Sequence, residues 1–295
     1  MLRWYVGLLH PLIHLGFGIE FNQPAIIAEG LAQTAVHDDW TGPRFLFPVE
    51  REAGGIGKKG KKSMMQLLDE ARENKNLAGS AHFEDGNKLR DGVLKRAPED
   101  MIKLAAQWTV SEEQIKDKVA EMVDAAGTPP DFTSLSNILM SVVYFTSTSQ
   151  RPEKTPKFDF FYIHSVNSSI FFPRFISLPF LSIQTKLRLL EAKGRLDLLM
   201  YISRNTPTLY HNEITQYPAT NKWNTIMTES IQHEHDDGHL SKLIRALRNG
   251  EAVWSEYQGR EDELGLKVKG EDWLRIGNMG EPPKPSFLIS SGLMR

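Results

Sequence analysis

Apolar residues at helical spacing run from Pro24 to His37, with proline at a tolerated first-turn position, and predict a buried helix. Ser63 to Ala78 predicts an amphipathic helix, and Pro98 to Ala126 one or two more, stopped by Gly127, Pro129 and Pro130; each is solvated on one face. Ser134 to Thr146 is apolar enough for the interior. Phe158 to Phe172 has the aromatic composition of a strand, but Ser165, Ser168 and Ser169 recur at one-turn spacing, as close helix contacts or a pocket floor require, and predict a helix. Thr185 to Tyr201 and Trp223 to Tyr257 complete the set. The expectation is a mainly α protein, one multi-helix domain over residues 1–295 with long irregular loops, no internal repeat and no linker that would divide it.

Two segments invite other readings. Met1 to Phe17 has the apolarity of a signal sequence, but His10, Pro11 and His14 break the run and no small-residue cleavage site follows. Gly54 to Lys62 has the glycines and lysines of a phosphate loop without the fixed spacing or a preceding hydrophobic strand, so a flexible basic surface loop is expected. No stretch reaches the ~20 apolar residues of a membrane span. The opening Met1-Leu-Arg-Trp-Tyr-Val6 enters core-like sequence directly, which suggests that an N-terminal part of the ancestral domain is missing.

Charge and composition narrow the function. Thirty-five basic against 37 acidic residues leave a formal net of −2, so no global field gathers nucleic acid or an anionic membrane. Absence of cysteine removes disulfides, thiol catalysis and thiolate metal sites, and suits a reducing compartment, with the cytoplasm as the default. Nine histidines remain, three of them in His233-Glu-His-Asp-Asp-Gly-His239. A histidine-held metal is therefore the first chemistry to seek. No dinucleotide turn, Gly-x-Ser-x-Gly elbow or His-Glu-x-x-His helix is present.

On a helix through residues 230–250, Asp236, Leu240, Leu243, Ile244 and Leu247 form one stripe, and His235, His239, Lys242 and Ala246 border it. His239 and Lys242 then point the same way, although Gly238 stands ready to interrupt and the plainer reading is a solvated acidic first turn. His10 and His14 share a face if a helix starts near Pro11, and at least one should turn inward. His164, in the aromatic run, stands ready to add a ligand from another helix. His37 is expected to serve a helix C-terminus, and His82 and His211 to occupy surface or capping positions.

Long strings then become recognisable. His10 to His37, His82-Phe-Glu-Asp-Gly-Asn-Lys88, Phe161-Tyr-Ile-His-Ser-Val-Asn-Ser-Ser169 and Asp236 to Leu247 resemble motifs of the fungal questin oxidase-like family. The resemblance implies a mainly helical oxidoreductase of aromatic polyketide metabolism that opens a ring of an anthraquinone-like substrate with dioxygen, in a Baeyer-Villiger-like or dioxygenase-like reaction. It also implies non-haem iron held by histidines and a lysine carried as its carbamate. Matched residue by residue, the expected ligands are His10, His164, His239 and Lys242, with His14 a variable neighbour. Phe160, Phe161, Tyr162, Phe171 and Phe172 are expected to line a flat pocket or simply to pack the core. The family chemistry admits a reducing partner such as NADPH, for which this sequence has no fingerprint. Relatives begin with further helices bearing a histidine-rich segment, so an additional ligand is expected ahead of this chain. The competing reading, from a different class, is a non-catalytic helical protein that binds a hydrophobic aromatic metabolite.

Overall fold

A computed structural model describes residues 1–60, 62–113, 133–234, 236–255, 257–259, 261 and 266–280, and for 133–140 the backbone alone. The longer elements are α1 (His10–Glu20), α2 (Pro24–Val36), α3 (Met64–Glu73), α4 (Pro98–Ala105), α5 (Thr133–Thr148), α6 (Phe160–Ser169), α7 (Ile183–Ile202), α8 (Trp223–Gln232), α9 (His239–Ser255) and α10 (Asp272–Gly280). Every regular element among the described residues is a helix. His235 and the 114–132 part of the expected Pro98–Ala126 helices lie outside the described residues.

Local chemistry starts the helices where it should. Ser63 and Gln66 close a reciprocal capping box at α3, Asp159 accepts the amide hydrogens of Phe161 and Tyr162 at α6, and Ser182 accepts that of Thr185 at α7. The aromatic run is helical, and Ser165, Ser168 and Ser169 are all buried. The expected 230–250 helix is instead two: α8 ends at Gln232, and α9 begins after Gly238, whose φ of +92° a glycine adopts freely.

α7 is the axis around which the others pack. It is buried on every face from Leu189 to Ile202, charged residues included. Those charges pair along the helix: Lys193 donates to both carboxylate oxygens of Asp197, and Arg195 meets Glu191 at 2.8 Å. The other Glu191 oxygen accepts the backbone N–H groups of Gly57 and Val110, tying the basic glycine loop to the core. A continuous apolar cluster extends from Leu2 to Met279.

α1 and α2 form a hairpin on one side. A Cβ on Gly30 would lie 2.8 Å from the Leu15 backbone nitrogen, and one on Gly18 2.7 Å from that of Ile27, so glycine sets the close approach. The expected burial of α2 is wrong: Gly30 is its only buried residue, while Leu31 is 48% and Val36 83% exposed. The helix is apolar nearly all round, but it meets the body of the protein along a single stripe, and composition cannot tell which faces find partners.

Candidate metal centre

The chain reaches α1 through a backbone that few side chains tolerate. Gly7, Leu8 and Leu9 take φ values of 54°, 55° and 64°, three successive left-handed residues, and His10 follows as the first residue of α1. Leu9 is fully buried, which anchors the turn. His10 is thereby aimed at His164 of α6, with the two Nε2 atoms 3.0 Å apart. His239 opens α9 and completes a group whose ligating nitrogens all lie within 4.8 Å of one another.

Hydrogen bonds assign the tautomers. The Phe160 carbonyl can only accept, so the His164 Nδ1–H donates to it at 2.6 Å, and the Nε2 lone pair of the neutral ring faces His10. His239 Nδ1–H donates to the Asp237 carboxylate, and its Nε2 is buried and without a partner. An imidazole oriented by a carboxylate, with the other nitrogen free, is the arrangement expected of a metal ligand. Asp236 accepts the amide hydrogens of Leu240 and Ser241 and so fixes the start of α9. The Phe160 ring lies 4.6 Å from that of His164 and 4.9 Å from that of His239, and screens the pair from water.

Burial lowers the proton affinity of two of these rings, His164 and His10. His164 is 1% exposed, and burial is the main cause that lowers its pKa to about 4; the hydrogen bond to Phe160 opposes this, while His10, His239 and Lys242 add to it. His10, the most open of the three, is also lowered, by burial first and then by the charges of Lys242, His239 and His37. The His164 lone pair therefore stays available down to about pH 4. Two ligand nitrogens at right angles around an ion, each about 2.1 Å away, stand about 3 Å apart. The His10–His164 separation of 3.0 Å meets that demand, and the ligand atoms of all three residues lie within 4.8 Å of one another. The donor set, all imidazole, suits iron, copper, zinc or nickel in divalent form.

The sequence-selected ligands thus divide. His10, His164 and His239 are brought together from three segments remote in sequence. Lys242, one turn after His239 and partly buried, is near enough for its charge to act on His10 and His164. The alternative neighbour His14 turns away: its Nε2–H donates to Glu29 on the outer side of the hairpin. His10 is the inward-facing residue of the His10–His14 pair: its Nε2 meets that of the buried His164, although the residue keeps an exposed side. His37 does cap α2, and His82 and His211 are exposed. Of the expected pocket aromatics, Tyr162, Phe171 and Phe172 belong to the core, whereas Phe160 covers the imidazoles and Phe161 lines a cavity of about 340 Å³. The left-handed turn and the Asp237 tether escaped the sequence reading. Asp237 left a trace, a carboxylate two residues before a histidine; two leucines in left-handed geometry leave none.

Comparison with known proteins gives the chain a family. A profile described as questin oxidase-like matches residues 1–247. The chain is 38% identical over 280 residues to the Baeyer-Villiger oxidase ptaJ of Pestalotiopsis fici, covering 93% of this chain and 59% of that protein. It is 39% identical over 285 residues to the Baeyer-Villiger monooxygenase dmxR6 of Cryptosporiopsis sp., covering 94% and 60%, and 34% identical over 301 residues to the questin oxidase of Aspergillus fumigatus, covering 98% and 64%. The chain thus spans about three fifths of the length of these relatives.

Proposed function

The chain belongs to the questin oxidase-like family, and we propose that it takes part in oxidative ring cleavage of an anthraquinone or related aromatic polyketide, at iron(II) held by His10, His164 and His239. The observation that carries this reading is the convergence of three imidazoles, one with a buried and unpartnered nitrogen. Names of the relatives, oxidases and a monooxygenase of the Baeyer-Villiger type, support the reaction class.

Bound iron supplies the redox chemistry that dioxygen requires and that imidazole lacks. The residues present do the rest. His164 and His239 arrive with their tautomers already set by Phe160 and Asp237, so little reorganisation opposes binding. Phe160 keeps water from one side of the group. Three neutral ligands leave the ion's charge uncompensated, and Lys242 as its carbamate would place an oxygen anion beside them, where the ammonium form adds only another cation. A Baeyer-Villiger insertion places one oxygen atom between a carbonyl carbon and its ring neighbour and reduces the other to water with two electrons from a donor such as NADPH; a dioxygenase-like cleavage keeps both atoms and needs no donor. A chain free of cysteine fits such chemistry in the cytoplasm, and no helix among the described residues is long and apolar enough to cross a membrane.

Anaerobic reconstitution with ferrous iron, followed by elemental analysis, tests the site. One iron per chain is expected, falling to none in His164→Ala/His239→Ala. Oxygen consumption with a hydroxyanthraquinone, with and without NADPH, then distinguishes the two reaction types, and carbon NMR after exchange with labelled bicarbonate reports a carbamate on Lys242. Absence of stoichiometric iron in reconstituted protein sinks the proposal; iron without oxygen consumption leaves a metabolite-binding protein as the surviving reading.

A further inference from the structure

The cavity of about 340 Å³ is within the size range of sites that enclose small ligands, and its lining includes residues that neighbour two of the three imidazoles in the chain. Two supports of the metal centre double as its walls. The left-handed turn contributes Gly7 and Leu8, two to three residues before His10; α6 contributes Phe161, one turn before His164 on nearly the same face. His37 joins the two spaces: its ring packs on Gly7 so closely that a Cβ there would stand 2.8 Å from Cε1, and its charge reaches His10.

The lining suits one class of guest. Trp40 and Phe161 offer flat aromatic surfaces, and Leu196 and Met200 of α7 supply an apolar wall. Polar groups come mainly from the segment after Gly86. Asn87 commits its carbonyl oxygen to the N–H groups of Leu89 and Arg90, which leaves its amide N–H groups for a guest. Arg90 binds Asp91 through Nε and Nη2 at 2.8 and 3.0 Å, which holds the guanidinium still and leaves Nη1 uncommitted. Asp38 lines the same cavity and offers an acceptor. Apolar walls, two donors and one carboxylate match a fused aromatic ring system bearing both a carbonyl oxygen and phenolic hydroxyls; they do not match a phosphate or a simple hydrocarbon.

Resting on the oxidase reading, we propose that this cavity seats the substrate, with a carbonyl or phenolate oxygen held by Arg90 and Asn87 and the rings against Phe161 and Trp40. Arg90 then acts as a specificity residue, choosing oxygenated over bare ring systems.

The test is binding to metal-free protein, read by quenching of tryptophan fluorescence. The probes are a dihydroxyanthraquinone whose two hydroxyls flank one carbonyl, and unsubstituted anthraquinone. Arg90→Gln should weaken the hydroxylated probe about tenfold, the loss expected for one charged hydrogen bond, and leave the bare ring within about twofold. Gly86→Trp should weaken both, because a Cβ at Gly86 meets nothing within 4 Å and the new ring can fill the rim without disturbing the fold. Parent protein that does not bind the hydroxylated probe saturably, or Arg90→Gln and Gly86→Trp variants with unchanged affinity and native thermal denaturation, would overturn the proposal. Failure of the oxidase reading looks different: probe binding that depends on Arg90 in a protein that retains no iron leaves the pocket standing alone. In protein that consumes oxygen, both pocket variants should raise KM by a larger factor than they lower kcat.

Discussion

Acidification should destabilise the metal-free protein through His164, by an amount the structure bounds. Unfolded, the imidazole takes a proton near its ordinary 6.5; folded and buried against Phe160 and His10, it does so only at about 4. The unfolded chain therefore binds the proton first. This contribution to stability is complete above pH 6.5, declines as the pH falls, and is exhausted at about 4, below which both states are protonated. At roughly 1.4 kcal/mol for each tenfold difference in proton affinity, the whole descent is worth about 3 kcal/mol. Urea denaturation followed by far-ultraviolet circular dichroism, from neutral pH to about 4, measures it in the chelator-treated parent and in His164→Gln. Carboxylates elsewhere titrate alike in both proteins, so the difference isolates the imidazole; the parent should lose about 3 kcal/mol more than the variant. Parallel pH profiles, within about 0.5 kcal/mol across the range, would refute the claim that a buried, neutral His164 is held at the centre.

Other outcomes test the supports of the site. Asp237→Asn replaces the anion that orients His239 and should lower metal affinity about 10- to 100-fold in a competition titration against a chelator, with stability changed by less than about 0.5 kcal/mol. Gly16→Ala would place a Cβ 2.3 Å from the Phe171 ring, which is 1% exposed and has no room to yield. It should cost about 1–3 kcal/mol in denaturant unfolding and weaken metal binding, because α1 is pushed from α6 and His10 from His164. Asp197→Asn strands the fully buried Lys193 ammonium and should cost about 3–5 kcal/mol, whereas Lys193→Met combined with Asp197→Leu should fall within about 1 kcal/mol of the parent or exceed it. Thermal denaturation of the three proteins decides between those outcomes.

What the sequence disclosed followed from how local each feature is. Helices were legible wherever apolar spacing and caps agreed, as at Ser63 and in the aromatic run, where three serines outweighed strand-like composition. Burial of α2 was misread because apolar residues on all sides say nothing about which side finds a neighbour. The three imidazoles share no spacing that could announce them, since residues 10, 164 and 239 meet only through the packing of α1, α6 and α9; the resemblance to a family, and not periodicity, singled them out. Lys193 and Asp197 sit four apart like an ordinary surface pair, yet both are fully buried. Only the completed fold shows that α7 is enclosed.

The three imidazoles differ in the stiffness of their mounts. His164 rides in the second turn of a helix packed on all sides, and His239 is tethered by its own loop carboxylate. His10 hangs from two leucines whose backbone each costs about 1–2 kcal/mol relative to ordinary geometry. Any loosening of the buried Leu9 lets that spring uncoil first, drawing one ligand outward while the other two stay put. Entry and escape of an ion would then be timed by a three-residue latch, and substitutions there would alter exchange kinetics before they alter affinity.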